Sequence, residues 1–201
     1  MERKLGHLRN KTGEVDIKMI LVVDMNWKQD SLAYSEFVSP ILSVIEHLDS
    51  CRVIHFSDID SSKYNDYSKI ILSGTTLKDF EAQKHVDKFQ WIKNCDKPIL
   101  GICAGMQIIS LTYDVSLTRC LQVGMTEITT KQANPLFKGI FQAYTLHSFS
   151  TKPSKTFDTL ATSTKCIQAI KHKQKLIYGV LFHPEVRNQS ILLEFAKLNQ
   201  S

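Results

Sequence analysis

Three short stretches of this chain set chemically capable side chains where a backbone can present them. The first is PILGICAGMQIIS, in which an apolar run leads into Gly101, Ile102, Cys103, Ala104 and Gly105, then into a helical pattern through Met106, Ile108, Ile109 and Leu111. A thiol at the tip of a tight strand-to-helix turn needs small residues two positions to either side, because its strained backbone passes close to neighbouring elements. Gly101 and Gly105 supply them. The same turn sets the sulphur at a helix N-terminus, where unsatisfied N–H groups and the helix dipole favour the thiolate, the species that reacts. Without the two glycines Cys103 would read as a small buried hydrophobe, as most free cysteines are.

The second stretch, YGVLFHPEV, ends an apolar run in His183, Pro184 and Glu185. Residues two apart in an extended segment project to one side, so Glu185 can orient and polarise His183 without taking part in bond-making. Alone, a histidine near a strand end is an ordinary residue. With Cys103 at another strand end it makes a nucleophile and its acid/base, meeting at the edge where open α/β sheets place active sites. The third stretch, KIILSGTT, closes a run at Gly74. A glycine there lets backbone N–H groups face a developing oxyanion, with a second donor from the amide of Ala104; an ordinary strand-end turn fits the segment equally well.

A central sheet must hold these stretches. KMILVVD, ending at Asp24, is a continuous apolar run rich in β-branched residues, which suits a strand covered on both faces of a parallel sheet. Ser39 and Pro40 predict the cap and first turn of a helix, with Ile41, Val44, Ile45 and Leu48 at helical spacing. Strands are expected over Cys51 to Phe56, Lys69 to Ser73 and Pro98 to Leu100, and a helix from about Asp79 to Asn94. Alternating strands and helices predict an α/β fold, a doubly wound and mostly parallel central sheet. After Val123 the pieces MTEITT, AYTLHSF, DTLAT, CIQAI and LIYGVLF predict a smaller antiparallel β part, closed by a helix from about Gln189 to Leu198.

The chain has 201 residues, 43% hydrophobic and 22% charged, with no apolar run approaching the ~18 residues that cross a bilayer. Residues 1–17 read as a basic N-terminal tail, and 18–201 as one domain. The tail mixes both charge signs without an apolar segment, so a secretory signal is not expected and a cytoplasmic location is. A net charge of +5, with lysines dispersed but for a loose cluster from Lys171 to Lys175, gives no concentrated basic face for nucleic acid. The five cysteines are odd in number and form no CxxC pair, so neither a disulfide framework nor a zinc cluster is indicated.

The SG loop, GICAGMQ and FHPE, in this order and with His183 80 positions after Cys103, resemble the class I (triad) glutamine amidotransferases over nearly the whole chain. The resemblance implies a flavodoxin-like fold that hydrolyses the side-chain amide of L-glutamine to glutamate and ammonia for a synthetase. It implies Cys103 as nucleophile, His183 as acid/base and Glu185 as its orienter. It places Gly74, Thr75 and Ala104 at the oxyanion hole, and Gln107, Ser148 and Phe149 at the substrate. It implies no cofactor and no metal.

IILSG and GMTEI are similar to the branch serving GMP synthesis, whereas GxCxGMQ and the YxxHS segment are shared with the histidine-pathway glutaminase subunit. Two features depart from the family. Thr75 stands where many members have a second glycine, and DMNWKQDSLAYSEF replaces a short glycine-containing loop after the first strand. The chain length leads to the expectation of a separate ATP-pyrophosphatase-type synthetase. A γ-glutamyl hydrolase uses the same triad and stays open, as does a catalytically silent binding module.

Overall fold

The computed structural model describes residues 19–60 and 63–198; the tail expected over 1–17 lies outside them. Nine strands form a single mixed sheet in the order β2-β1-β3-β4-β9-β8-β7-β5-β6. The strands β1 (Met19–Asp24), β2 (Ser50–His55), β3 (Lys69–Leu72), β4 (Ile99–Ile102) and β9 (Ile177–Val180) pair in parallel. The strands β5 (Leu117–Thr130), β6 (Ile140–Thr151), β7 (Phe157–Thr162) and β8 (Ile167–His172) extend the sheet in antiparallel fashion, and β8 joins β9.

The apolar run at β1 is uninterrupted because both of its faces are covered. Ile20 and Val22 face a layer containing Ile41 and Ile45 of α2 (Ser39–Ile45) and Leu192 and Phe195 of α4 (Ser190–Lys197). Leu21 and Val23 face the opposite layer, with Phe89, Ile92 and, from α3 (Ala104–Thr112), Met106 and Ile109. Fully burying an isoleucine or phenylalanine side chain contributes roughly 1.5–3 kcal/mol, so these layers hold the ends of β3, β4 and β9 in fixed relation. No helix among the described residues is long and apolar enough to cross a membrane.

The expected strands and the last helix occur within a few residues of their sequence limits, except that β5 begins at Leu117, eight residues before the MTEITT piece; three further details differ. A helix α1 (Leu32–Phe37) precedes α2 directly, so Val38 occupies the cap position and Ser39 and Pro40 lie in the first turn, while Leu48 falls beyond α2 and is exposed. The segment expected as a helix from Asp79 is a run of 3-10 turns, Ala82–Asn94, broken at His85 (φ −122°, ψ 38°). It nevertheless buries Phe89 and Ile92, with Val86 partly buried and Phe80 packed on Phe149. Finally, β9 returns from the antiparallel part to pair in parallel with β4, with Gly101 opposite Gly179. That pairing brings the segment after β9 beside the turn after β4.

Candidate active site

Cys103 caps α3 with φ 47° and ψ −100°, a left-handed backbone that costs a non-glycine residue about 1–3 kcal/mol. Its flanking glycines are sterically required. A Cβ on Gly101 would lie 2.5 Å from the carbonyl carbon of Gly105, and one on Gly105 would lie 2.5 Å from the Leu72 carbonyl oxygen. The turn is thus wedged between β3 and the start of its own helix. Cys103 N–H donates to the Val180 carbonyl (2.8 Å), which fixes the elbow to the end of β9. The thiol is 4% exposed and donates to the backbone carbonyl of Leu146 on β6 at 3.5 Å.

His183 is held from the other side. Phe182 bridges Thr145, and His183 N–H donates to the Tyr144 carbonyl at 2.8 Å, so β6 positions the imidazole as well as the thiol. The strand itself stops at Val180, and residues 183–187 turn, with the amides of Val186 and Arg187 donating back to the His183 carbonyl. The His–Glu pairing expected of extended chain is therefore made by a turn: His183 Nδ1 and Glu185 Oε1 are 2.7 Å apart, both residues at most 2% exposed. Phe37 from α1 packs on the ring at a centroid distance of 5.4 Å.

Burial alone would favour a neutral imidazole, but the Glu185 carboxylate outweighs it. With a further contribution from Cys103, it holds the His183 pKa well above its ordinary value. His183 Nε2 is buried without an aligned hydrogen-bond partner among the described residues. It is free to take or give a proton.

Gly74 and Thr75 are buried beside this pair. The Gly74 carbonyl accepts from Ser73 Oγ (2.9 Å), and Ser73 Oγ accepts from Met25 N–H (3.0 Å). In a planar trans peptide the Thr75 N–H points opposite to that carbonyl, away from Ser73. Among the described residues the amides of Gly74, Thr75 and Ala104 have no acceptor. Thr75 Oγ1 donates to Asp79 Oδ2, which also accepts from Trp27 N–H at 2.8 Å.

Gln107 is buried on α3, its amide donating to the Phe149 carbonyl (2.9 Å) and accepting from Gln83 Nε2 (2.7 Å). Ser148 Oγ donates to the Leu77 carbonyl at 3.2 Å, and the rings of Phe80 and Phe149 meet edge to face at 5.7 Å. These contacts clip the segment 75–83 onto β6. No motif or spacing points to Leu77, Gln83, Phe37 or Leu146 as site residues, and none assigns a site role to Ser73 in the SG loop or to Asp79 at the expected helix start. Most of them act through backbone geometry or hydrogen bonds to loops, which leave no spacing signal, and Phe37 sits in the helix that the sequence did not reveal. In the loop after β1, Asp24 Oδ1 accepts from both Asn26 N–H (3.0 Å) and Asn26 Nδ2 (2.7 Å), which closes a tight turn without glycine.

Comparison with known proteins bears on this geometry. A family model described as "Glutamine amidotransferase class-I" matches residues 33–194. A glutamine-hydrolysing GMP synthase subunit of Methanocaldococcus jannaschii is 35% identical over 157 residues, covering 65% of this chain and 84% of that protein. The corresponding GMP synthase subunit of Methanococcus maripaludis (strain S2) is 36% identical over 164 residues, covering 68% and 87%. A solved structure from Thermoplasma acidophilum, provisionally described as a GMP synthase subunit, superposes with a TM-score of 0.77 at 25% identity over 90% of this chain and 92% of that one. A glutamine amidotransferase from Thermotoga maritima shares the fold, with a TM-score of 0.67 at 18% identity over 87% and 79%.

Proposed function

Since the chain belongs to the class I glutamine amidotransferase family, we propose that it is the glutaminase subunit of a two-chain GMP synthase, with Cys103, His183 and Glu185 as its triad. The observation that carries the reading is the strained Cys103 elbow set against a buried imidazole that a carboxylate 2.7 Å away keeps charged. In the first half-reaction the Cys103 thiolate attacks the carboxamide carbon of glutamine. The amides of Thr75 and Ala104, with Gly74 giving the loop room, take the oxyanion, which is worth several kcal/mol when donors are already in place. His183 then gives its proton to the departing nitrogen, and ammonia leaves.

In the second half-reaction water attacks the glutamyl thioester carbonyl while His183 accepts the water proton. Collapse of the adduct breaks the C–S bond, releases glutamate and regenerates the thiolate–imidazolium pair. Glu185 holds the ring in one tautomer throughout and makes no bond to substrate. Gln107, through the Phe149 carbonyl, and Ser148, through Leu77, hold the segment whose backbone would meet the amino-acid end of glutamine.

The parallel order β2-β1-β3-β4-β9 supports a flavodoxin-like description of the sheet, with the reacting groups at the strand ends where such sheets bind ligands. Residues 18–201 form the amidotransferase domain in this reading, and five free cysteines fit a cytoplasmic location.

The partner is a separate synthetase of the ATP-pyrophosphatase type that consumes the ammonia, as the relatives' names, each for one subunit of a GMP synthase, suggest. Burial of Cys103 and His183 beneath a segment clipped by Asp79, Ser148 and Gln107 supports a site that the partner opens. A partner preferring the open segment ~100-fold, about 2.7 kcal/mol, would raise a rarely populated competent state by up to that factor. The experiment is glutamate release from glutamine with and without an XMP-binding synthetase, ATP and XMP. Stimulation by that partner is expected. Full turnover by the chain alone would favour a γ-glutamyl hydrolase, and stimulation only by a histidine-pathway cyclase would move the chain to that branch.

A further inference from the structure

Where the register of β5 against β6 breaks, three residues far apart in sequence converge: Cys120 on β5, His147 on β6 and Cys166 in the turn between β7 and β8. One ligand atom from each lies within 4.8 Å of the other two. The register of β5 against β6 breaks between Arg119 and Gln122, and such a bulge re-aims side chains. It turns Cys120 inward while Leu121 faces solvent. His147, 1% exposed, has its Nδ1 2.9 Å from the Cys120 carbonyl. That carbonyl can only accept, so Nδ1 carries the proton and Nε2 keeps its lone pair, which faces the amide nitrogen of Gln168 at 3.3 Å. An imidazole whose Nδ1–H is fixed by a backbone carbonyl is oriented as metal-binding histidines are.

We propose that Cys120, Cys166 and His147 form a binding site for a soft divalent cation, zinc above others. A second observation, independent of the three ligands, points the same way. Gln122 Oε1 faces four donors at once: Ser163 Oγ (2.8 Å), Gln168 Nε2 (2.8 Å), Cys166 Sγ (3.3 Å) and Cys120 Sγ (3.8 Å). An amide oxygen has two lone pairs. Meanwhile Gln168 Oε1, in a fully buried residue, has no partner among the described residues. A cation that takes up both sulphurs as thiolates removes two of the four competing donors and leaves Gln122 to Ser163 and Gln168.

Two thiolates and one neutral imidazole suit zinc in both softness and number, and their charge cancels that of the ion, so no net charge is buried. The fourth position falls to water reaching the site past the half-buried Cys166. Binding forms two metal–sulphur bonds and one metal–nitrogen bond and releases the two thiol protons to solvent. Because both thiols must lose their protons to bind the ion, affinity rises with pH. A disulfide between Cys120 and Cys166 would need an oxidant and would use neither the His147 lone pair nor the crowded amide. The ion would tie β5, β6 and the β7–β8 turn together one residue from Ser148, stiffening the strand whose Leu146 carbonyl meets the Cys103 thiol. The site does not depend on the glutaminase assignment.

The test uses the full chain carrying Cys103→Ser, so that the elbow thiol contributes no background, stripped with a chelator under reductant and titrated with Co²⁺ as the probe. Expected is one equivalent bound, with the visible bands of tetrahedral cobalt and thiolate-to-metal charge transfer, displaced by Zn²⁺. Cys166→Ser and, separately, His147→Gln should each weaken Co²⁺ binding ~100-fold or more, while Cys51→Ser leaves it unchanged. Absence of these bands, bands indifferent to both Cys166→Ser and Cys120→Ser, or a metal-free protein recovered without reductant as a Cys120–Cys166 disulfide would each overturn the proposal.

Discussion

Gly74 lies directly beneath the His183 ring: a Cβ at position 74 would stand 2.7 Å from Cε1 and 3.1 Å from Nδ1 of the imidazole. The loop after β3 and the proposed acid/base are therefore packed against each other, and the absence of a side chain at one sets the position of the other. Gly74→Ala should displace the ring and lower kcat for glutamate release by about 100-fold, because a misplacement near 1 Å costs that much. Wild-type kcat in Gly74→Ala would show that the contact is not a constraint on catalysis.

The roles proposed for Glu185 and His183 are unequal, and kinetics should show it. Removing the proposed proton carrier by His183→Ala is expected to lower kcat by roughly 10⁶-fold, and Glu185→Ala by roughly 10⁴-fold, because the mis-oriented imidazole still transfers protons. Single-turnover measurement with glutamine gives the order directly. The reverse order would exchange the two assignments.

The same pair sets a pH limit. Burial favours loss of the His183 proton, and Glu185 with Cys103 more than offsets it, so the folded pKa lies well above 6.5. The native protein thus keeps a proton that the unfolded chain releases near 6.5. The stabilisation is complete below that pH and is lost as pH rises through the raised value. In kcat/KM the alkaline limb should lie well above 6.5, and Glu185→Gln, which removes the main raising influence, should move it toward lower pH. An alkaline limb unmoved in Glu185→Gln would contradict this coupling.

Much of this arrangement was legible in the sequence, and the reasons for the gaps are physical. β1, β3 and β4 are buried on both faces and therefore read as unbroken apolar runs. The elbow was visible because Gly101 and Gly105 are required by contacts within a few residues and with the adjacent strand. The helix α1 was hidden: it has no side-chain cap and no acidic first turn, and the exposed Leu32 blurs its apolar periodicity. The return of β9 to β4 and the meeting of Cys120 with Cys166 are long-range pairings, which no local pattern records.

Thr75 should restrain the resting enzyme. Its hydroxyl is tied to Asp79, and Asp79 in turn accepts from the Trp27 amide, so the peptide expected to meet the oxyanion sits in a clipped loop. Thr75→Gly removes the tie and restores backbone freedom. Glutamate release by the chain alone should rise about tenfold, and stimulation by a synthetase should shrink correspondingly, if loop population limits the rate. Unchanged basal activity would place the limit elsewhere.

Gly105 should matter for folding more than for chemistry. A Cβ there meets backbone, the Leu72 carbonyl oxygen at 2.5 Å, which cannot swing aside as a flexible side chain would. Gly105→Ala is expected to cost about 3 kcal/mol, lowering Tm by roughly 6–12 °C. Gly139→Ala, at a positive φ of 72° but with open space around it, should cost only ~1–2 kcal/mol. Equal losses in the two variants would refute the packing argument at the elbow.

The central claim is that Cys103, alone among five cysteines, attacks the glutamine carboxamide. The most direct measurement is mass spectrometry of the intact chain and its peptides after treatment with a thiol-reactive glutamine analogue, in the presence of an XMP-binding synthetase with ATP and XMP. One covalent adduct on the peptide carrying Cys103 is predicted, absent in Cys103→Ala and suppressed by excess glutamine. No adduct, or an adduct on Cys51, Cys95, Cys120 or Cys166 with Cys103 unmodified, would contradict the account.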